Sequence, residues 1–290
     1  MTHTSNTLIA RDSGASPSLE EPTERVIAPA KRRVKLRDLP RDAAVIRVLA
    51  ARDFKVKYKQ SMLGPLWLVF QPLALLLAFL VAFRGLGKVH SSNVPYAVFA
   101  LVGLSAWAFF QAAMTIGASS LITNINFIRY TPCPRVAFPV AAIIAALPSF
   151  GVTAAGALIA AAATGHLSPR VLLLPVALAW LLLLTAGVVG LASSVAVRYR
   201  DVISALPFLL QLGTFLAPVG YSLAGLSPTL RTVVELNPLT GQIEAMRWMM
   251  LRGYHAAFGP IAASLGLTFV LVLAGWRVFT RRETTIADEI

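Results

Sequence analysis

The chain has 290 residues, of which 57% are hydrophobic and 13% charged, and its mean hydropathy is +0.70. Soluble domains carry roughly twice that charged fraction, so the polar surface needed to cover a water-soluble fold of this length is missing. The net charge of +13 does not point to nucleic acid, because the cations gather at the borders of apolar runs, as in a membrane protein with positive charge on its cytoplasmic side.

Residues 1–35 are polar, mix Ser, Thr and Pro with both charge signs, and lack the short apolar region of a signal peptide. They read as a flexible cytoplasmic tail. Residues 36–64 read as an interfacial amphipathic segment. Its stretch "RDFKVKYKQ" holds Arg52, Lys55, Lys57 and Lys59, candidates for contact with lipid headgroups. Phe54, Val56 and Tyr58 alternate with lysines, a pattern that by itself suggests a strand. Its approach to an uncharged span predicts an interfacial helix with snorkelling lysine stems instead. Gly64 and Pro65 mark the turn into the membrane.

Six apolar stretches follow, at 65–83, 94–117, 136–163, 171–197, 202–220 and 260–279, each near the roughly 20 residues that a helix needs to cross hydrocarbon. With the N-terminus inside, Arg129, Arg135, Arg198, Arg200, Arg277, Arg281 and Arg282 fall inside, against Arg84, Lys88 and Arg170 in the first two outer loops. That is a reasonable positive-inside bias, which Arg231, Arg247 and Arg252 in the third outer segment fit less well. Residues 283–290 then form a cytoplasmic tail. The segment before the last span, "ELNPLTGQIEAMRWMMLRGY", is too apolar for a surface loop and too short and charged for a seventh span. Asn237-Pro238 starts a helix and Gly253 ends it, so a half-membrane or re-entrant helix is expected there. Glu244 is expected to face Arg247 at i,i+3. The fold class is therefore an all-α integral membrane protein with six spans, an interfacial helix and a re-entrant segment.

Enzyme signatures are scarce: H-E-x-x-H, G-x-S-x-G and the P-loop pattern do not occur. His3, His90, His166 and His255 are scattered, and Cys133 is the only cysteine, so no intrachain disulfide forms. Asp201, Glu235 and Glu244 are the only acids between Phe54 and Arg282, which disfavours both a lipid-modifying enzyme and a proton-coupled carrier. Asp201 sits between Arg198 and Arg200 on one side and a span on the other, where either arginine can neutralise it. The connection "NINFIRYTPCPRVAFP" exposes Phe127 and Ile128 beside Arg129 and Tyr130, and its prolines prevent a continuous helix. It either docks in a cleft of a cytoplasmic protein or lies flat in the headgroups. Trp67, Phe70, Trp107, Phe109 and Phe110 either line a route for a sugar chain or contact lipid.

The strings "RDFKVKYKQSMLGPLWLVFQPLALLLAF", "NFIRYTPCPR", "VRYRDV" and "NPLTG", in that order, resemble the ABC-2 type permeases that export polysaccharides, O-antigen, teichoic acids and related surface polymers. The resemblance makes residues 65–282 the transmembrane domain. It implies a homodimer in the bacterial cytoplasmic (inner) membrane, served by two copies of a separate ATPase that binds ATP and Mg, with no cofactor in this chain and a lipid-linked glycan as substrate. By the same resemblance Asn124, Phe127, Ile128, Arg129, Tyr130 and Arg135 form the ATPase-coupling segment, and Arg198 and Asp201 a second cytoplasmic feature. Asn237, Pro238, Glu244 and Trp248 belong to an outer gate. The coupling segment departs from the family's usual Lys-x-x-Phe-Pro-Arg by Pro132 and Cys133. A related permease for drugs or small lipids is the nearest alternative.

Overall fold

A computed structural model describes residues 39–59, 61–84, 94–130 and 133–282; the expected 1–35 and 283–290 tails lie outside the described residues. The basic approach is helical, with α1 spanning Leu39–Tyr58. Ile46, Leu49 and Ala50 are buried and Phe54 partly so, a three-and-four spacing that sets them on one helix face. That face packs on Ala137, Phe138 and Ala141, so tertiary packing overrides the local strand-like alternation. One 3-10 turn, Gly64–Leu66, leads into α2, Trp67–Arg84.

The remaining helices are α3, Tyr96–Gly117; the short α4, Ser120–Thr123, and α5, Ile125–Tyr130; α6, Ala137–Ala163; α7, Leu174–Arg198; α8, Asp201–Leu216; α9, Pro228–Glu235; α10, Pro238–Met250; and α11, Phe258–Arg282. Pro72, Pro148 and Pro207 lie inside α2, α6 and α8, which membrane helices tolerate. Among the described residues, Gly64–Ala82, Tyr96–Gly117, Ala137–Ala163, Pro169–Arg198 and Phe258–Arg282 are long and apolar enough to cross a membrane. The chain is a multi-pass membrane protein.

The stretch expected as the fifth span is realised differently. Its helix, α8, has 16 residues, about 24 Å at 1.5 Å per residue, and residues 217–220 continue without helix. Together they follow α3 in the opposite direction along its whole length. Gln111, Thr115 and Ser119 of α3 share a crevice of about 240 Å³ with Ile203, Leu206, Pro207 and Leu210 of α8. Farther along, Gly213 meets the Trp107 ring, Val219 meets Gly103, and the Tyr96 hydroxyl donates to the Gly220 carbonyl at 2.8 Å.

α3 is the most buried of the long helices and pairs with α6, where Phe109 meets Phe150 edge to face at 6.3 Å. α7 and α11 run parallel: Trp180 donates to Thr268 at 2.9 Å, Gly187 lies against Leu271, Gly190 lies near Gly275, and Arg282 donates to the Ser194 carbonyl at 3.1 Å. Backbones touch at this seam, since a Cβ on Gly275 would stand 2.5 Å from the Gly187 carbonyl oxygen. Lipid offers no hydrophobic drive between such helices, so small residues that permit close packing supply the contact. Gly275→Leu should therefore destabilise the protein by about 1–3 kcal/mol, read as a lower thermal midpoint in detergent. Gly266→Leu, where a Cβ meets nothing within 4 Å, should leave the midpoint unchanged.

Candidate functional site

The connection between α3 and α6 is an elbow of two short helices. Asn124 stands between them, buried, and its side-chain amide donates to the Ser120 carbonyl at 2.7 Å. Its carbonyl oxygen accepts from Arg52 Nη2 at 2.5 Å, and Arg52 also holds Asp53 at 2.7 Å. Leu121 and Ile128 are buried in one cluster with Ile46, Leu49, Phe138, Val197 and Phe279, so Ile128 is not exposed with Phe127 as the sequence suggested, because α1 and the ends of α6, α7 and α11 cover it. The elbow is thus braced by α1 on one side and by the ends of α6, α7 and α11 on the other. Burial, and after it the charge of Asp42 on α1, raises the Cys133 thiol above its ordinary value.

The other coupling candidates divide. Phe127 is exposed on the elbow and packs edge to face on Phe138 at 5.9 Å. Arg129 and Tyr130 occupy the last turn of α5, while their side chains lie outside the described residues. Arg135 is half-buried. Asp201 is exposed in the first turn of α8 and makes no ion pair with Arg198 or Arg200 among the described residues; Arg198 instead lies 5.5 Å over the Tyr199 ring. The partial positive charge at a helix N-terminus favours a carboxylate there without either arginine. Lys55, Lys57 and Lys59 are exposed beside the elbow, whereas Arg52 spends its guanidinium on Asp53 and Asn124. Of the aromatic candidates, Trp67 and Phe70 are exposed on α2 and meet edge to face at 6.2 Å. Trp107 and Phe109 are buried in the protomer core, and Phe110 is half-buried beside Trp107 at 6.0 Å.

At the opposite end, α10 carries a fully buried arginine. Asn237 caps the helix by accepting from the Leu239 backbone N–H at 3.0 Å, with Pro238 in the first turn. Three residues after Glu244, Arg247 reaches its carboxylate at 3.4 Å, as the spacing predicts. Arg247 Nη2 also donates to the Pro218 and Val219 carbonyls at 2.7 and 2.8 Å, and its guanidinium lies 3.5 Å from the Phe99 ring centroid. Tyr254 donates to Glu244 from 2.8 Å; burial raises its phenol above the ordinary value, which keeps the proton on it. Gly103 makes the room, because a Cβ there would stand 2.7 Å from the Val219 oxygen and 3.1 Å from Arg247 Nη2. Trp248 is half-buried under Arg170. Sequence reasoning found the Glu244–Arg247 pair through its helical spacing. It missed Phe99, Gly103, Tyr96 and Tyr254, whose roles depend on carbonyls and charges distant in the chain.

A family model described as ABC-2 type transporter matches residues 44–251. A protein of Myxococcus xanthus named O-antigen export system permease protein RfbA is 24% identical over 258 residues, covering 88% of this chain and 98% of that relative. Two Klebsiella pneumoniae proteins of the same name are 26% and 23% identical over 245 and 244 residues, each covering 83% of this chain and 93% of the relative.

Removing one partner of a buried ion pair costs about 3–5 kcal/mol, because the other is left uncompensated. Arg247→Met should cost that much, measured as loss of thermal stability in detergent. Arg247→Met combined with Glu244→Gln should cost less than the sum of the two single changes, since the stranded carboxylate is then removed.

Proposed function

The chain belongs to the ABC-2 type transporter family, and on that premise we propose that it is the permease subunit of an ATP-driven exporter that moves a lipid-linked polysaccharide across a bacterial cytoplasmic membrane. The name carried by its relatives, O-antigen export system permease, supports the substrate class. The observation that carries the mechanism is the braced elbow, with Phe127 exposed and its base held by Arg52, Asn124 and Ile128.

The elbow face is the cytoplasmic one in this reading. It gathers the α1 lysines with Arg129, Arg135, Arg198, Arg200, Arg281 and Arg282, as the positive-inside rule requires. α8 with residues 217–220 makes the return crossing that its antiparallel run beside α3 and the parallel α7 and α11 both support. The count is then six, and both termini are cytoplasmic. α9 and α10 form a re-entrant hairpin at the outer end. Irregular backbone at 217–220 is tolerable at membrane depth because protein donors occupy its carbonyls.

ATP and Mg bind in a partner ATPase, two copies serving a permease homodimer. The apolar side chains that α2 and α8 expose, among them Phe70, Leu77, Phe208 and Phe215, support a second copy on that side, with the polymer path between protomers. ATP-driven closure pushes Phe127 and its neighbours, and the brace converts that push into motion of α3 and α6. α3, about 33 Å long at 22 residues, links the elbow to the cluster around Arg247 directly. The phosphate head of the substrate gathers at Lys55, Lys57 and Lys59, and Asn237, Pro238, Glu244 and Trp248 belong to the outer closure.

The test is co-purification with the ATPase, followed by ATP-dependent export of a labelled lipid-linked glycan from vesicles. Phe127→Asp should abolish the complex while leaving the permease in the membrane. Arg52→Gln removes a charge-assisted bond to Asn124 and should lower export per ATP hydrolysed about tenfold with the complex intact. Retained complex and full export in both variants would sink the coupling assignment. Export of small lipids but of no glycan would overturn the substrate class.

A further inference from the structure

Three arginines follow α8 on the outer side, Arg231, Arg247 and Arg252, a poor fit to the positive-inside pattern. Two are neutralised by acids on their own helices: Arg231 by Glu235 at 2.7 Å and Arg247 by Glu244. Arg252 is exposed and makes no ion pair among the described residues. Its backbone joins two distant loops. Ser168 N–H donates to the Met250 carbonyl at 3.0 Å, Arg252 N–H donates to the His166 carbonyl at 2.7 Å, and Leu167 bridges Leu251.

This clip carries a second arginine that is already oriented. Arg170 donates through Nε to the Ser168 hydroxyl at 3.1 Å, and its guanidinium lies 4.5 Å over the Trp248 ring. Trp248 in turn meets Phe258 edge to face at 6.2 Å. No acidic residue occurs at 164–175 or 245–260. Leu172 and Val176, which follow Arg170 in the chain, are 85% and 61% exposed, and Phe258, against Trp248, is 65% exposed, an apolar rim suited to lipid tails. Trp and Arg at such a boundary stand at headgroup level.

We propose that this clip is a lipid-phosphate site of the outer leaflet. Arg170, stiffened by Trp248, and Arg252 hold the phosphate of an anionic lipid, and its hydrocarbon chain lies along Leu172, Val176 and Phe258. A planar guanidinium backed by an aromatic ring suits phosphate because its remaining N–H groups keep a fixed direction. The phosphate belongs either to a resident phospholipid or to the prenyl carrier of the exported glycan as it emerges. The site depends on this face being the outer one and not on export itself.

The experiment uses the full chain, without ATPase, in phosphatidylcholine nanodiscs titrated with phosphatidylglycerol or with a polyprenyl monophosphate, bound lipid being counted by native mass spectrometry. Either anionic lipid should be retained over phosphatidylcholine. Arg170→Gln with Arg252→Gln should weaken retention about 25-fold, about fivefold per arginine, while Arg231→Gln on the same face should change nothing. Preference for the polyprenyl phosphate assigns the site to the exported carrier, and equal retention assigns it to a resident lipid. Equal retention of anionic and neutral lipid overturns the site, as does unchanged retention in the double variant. Arg252→Gln alone alters an exposed side chain without a partner among the described residues, so it keeps the fold intact. It should weaken retention about fivefold, and no weakening there overturns the site as drawn.

Discussion

A buried guanidinium sets the terms for the α10 end of this protein. Taking an ion out of water costs several kcal/mol even after relaxation, and Arg247 is fully buried. One carboxylate at 3.4 Å is a loose partner for such a group. Two backbone carbonyls meet most of the deficit, Nε alone staying without a hydrogen bond among the described residues, and a helix interior has none to spare because each is already bonded within the helix. Hence α8 ends at Leu216, and Pro218 and Val219 present their oxygens to Arg247. The unwound stretch and the buried arginine solve each other's problem. Gly103 admits the carbonyl and Tyr96 occupies the next one.

The same arrangement ties four elements into one body. Arg247 lies on α10, its carbonyl partners follow α8, Phe99 and Gly103 belong to α3, and Tyr254 precedes α11. α10 therefore does not swing freely as a flap, because moving it alone strands a charge and two carbonyls. α3 then carries consequence at both ends. Its apolar surface is buried nearly all round, its C-terminal end leads into the elbow, and its N-terminal end lines the Arg247 cluster through Phe99 and Gly103. Those two ends are joined by one helix of 22 residues.

Much of the fold was legible from hydropathy. The helices α2, α3, α6, α7 and α11 fall where long uncharged runs lie, because a lipid-spanning backbone has little choice but helix. The Glu244–Arg247 pair and the Asn237 cap were legible for a similar reason, since both depend on spacing within one helix. Other expectations depended on which face meets which, and hydropathy is silent there. α3 is apolar throughout, so nothing in its sequence distinguishes Trp107 and Phe109, which are core, from Trp67 and Phe70 on α2, which are exposed. Arg52 looked like one more cation for headgroups, and only the approach of Asn124, 72 residues away, gives it a different partner.

By itself the sequence determined that the chain lives in a membrane, where its long helices lie and that its cations gather at the borders of its apolar runs. Those properties are sums over local composition, and transfer to lipid depends on such sums. Tertiary structure alone decided where α8 stops, which cations are already neutralised and which side chains remain available for a partner. The reason is physical: a buried charge and an unwound carbonyl are each unfavourable in isolation, and only their meeting in space, with room left by a glycine on a third helix, makes both stable.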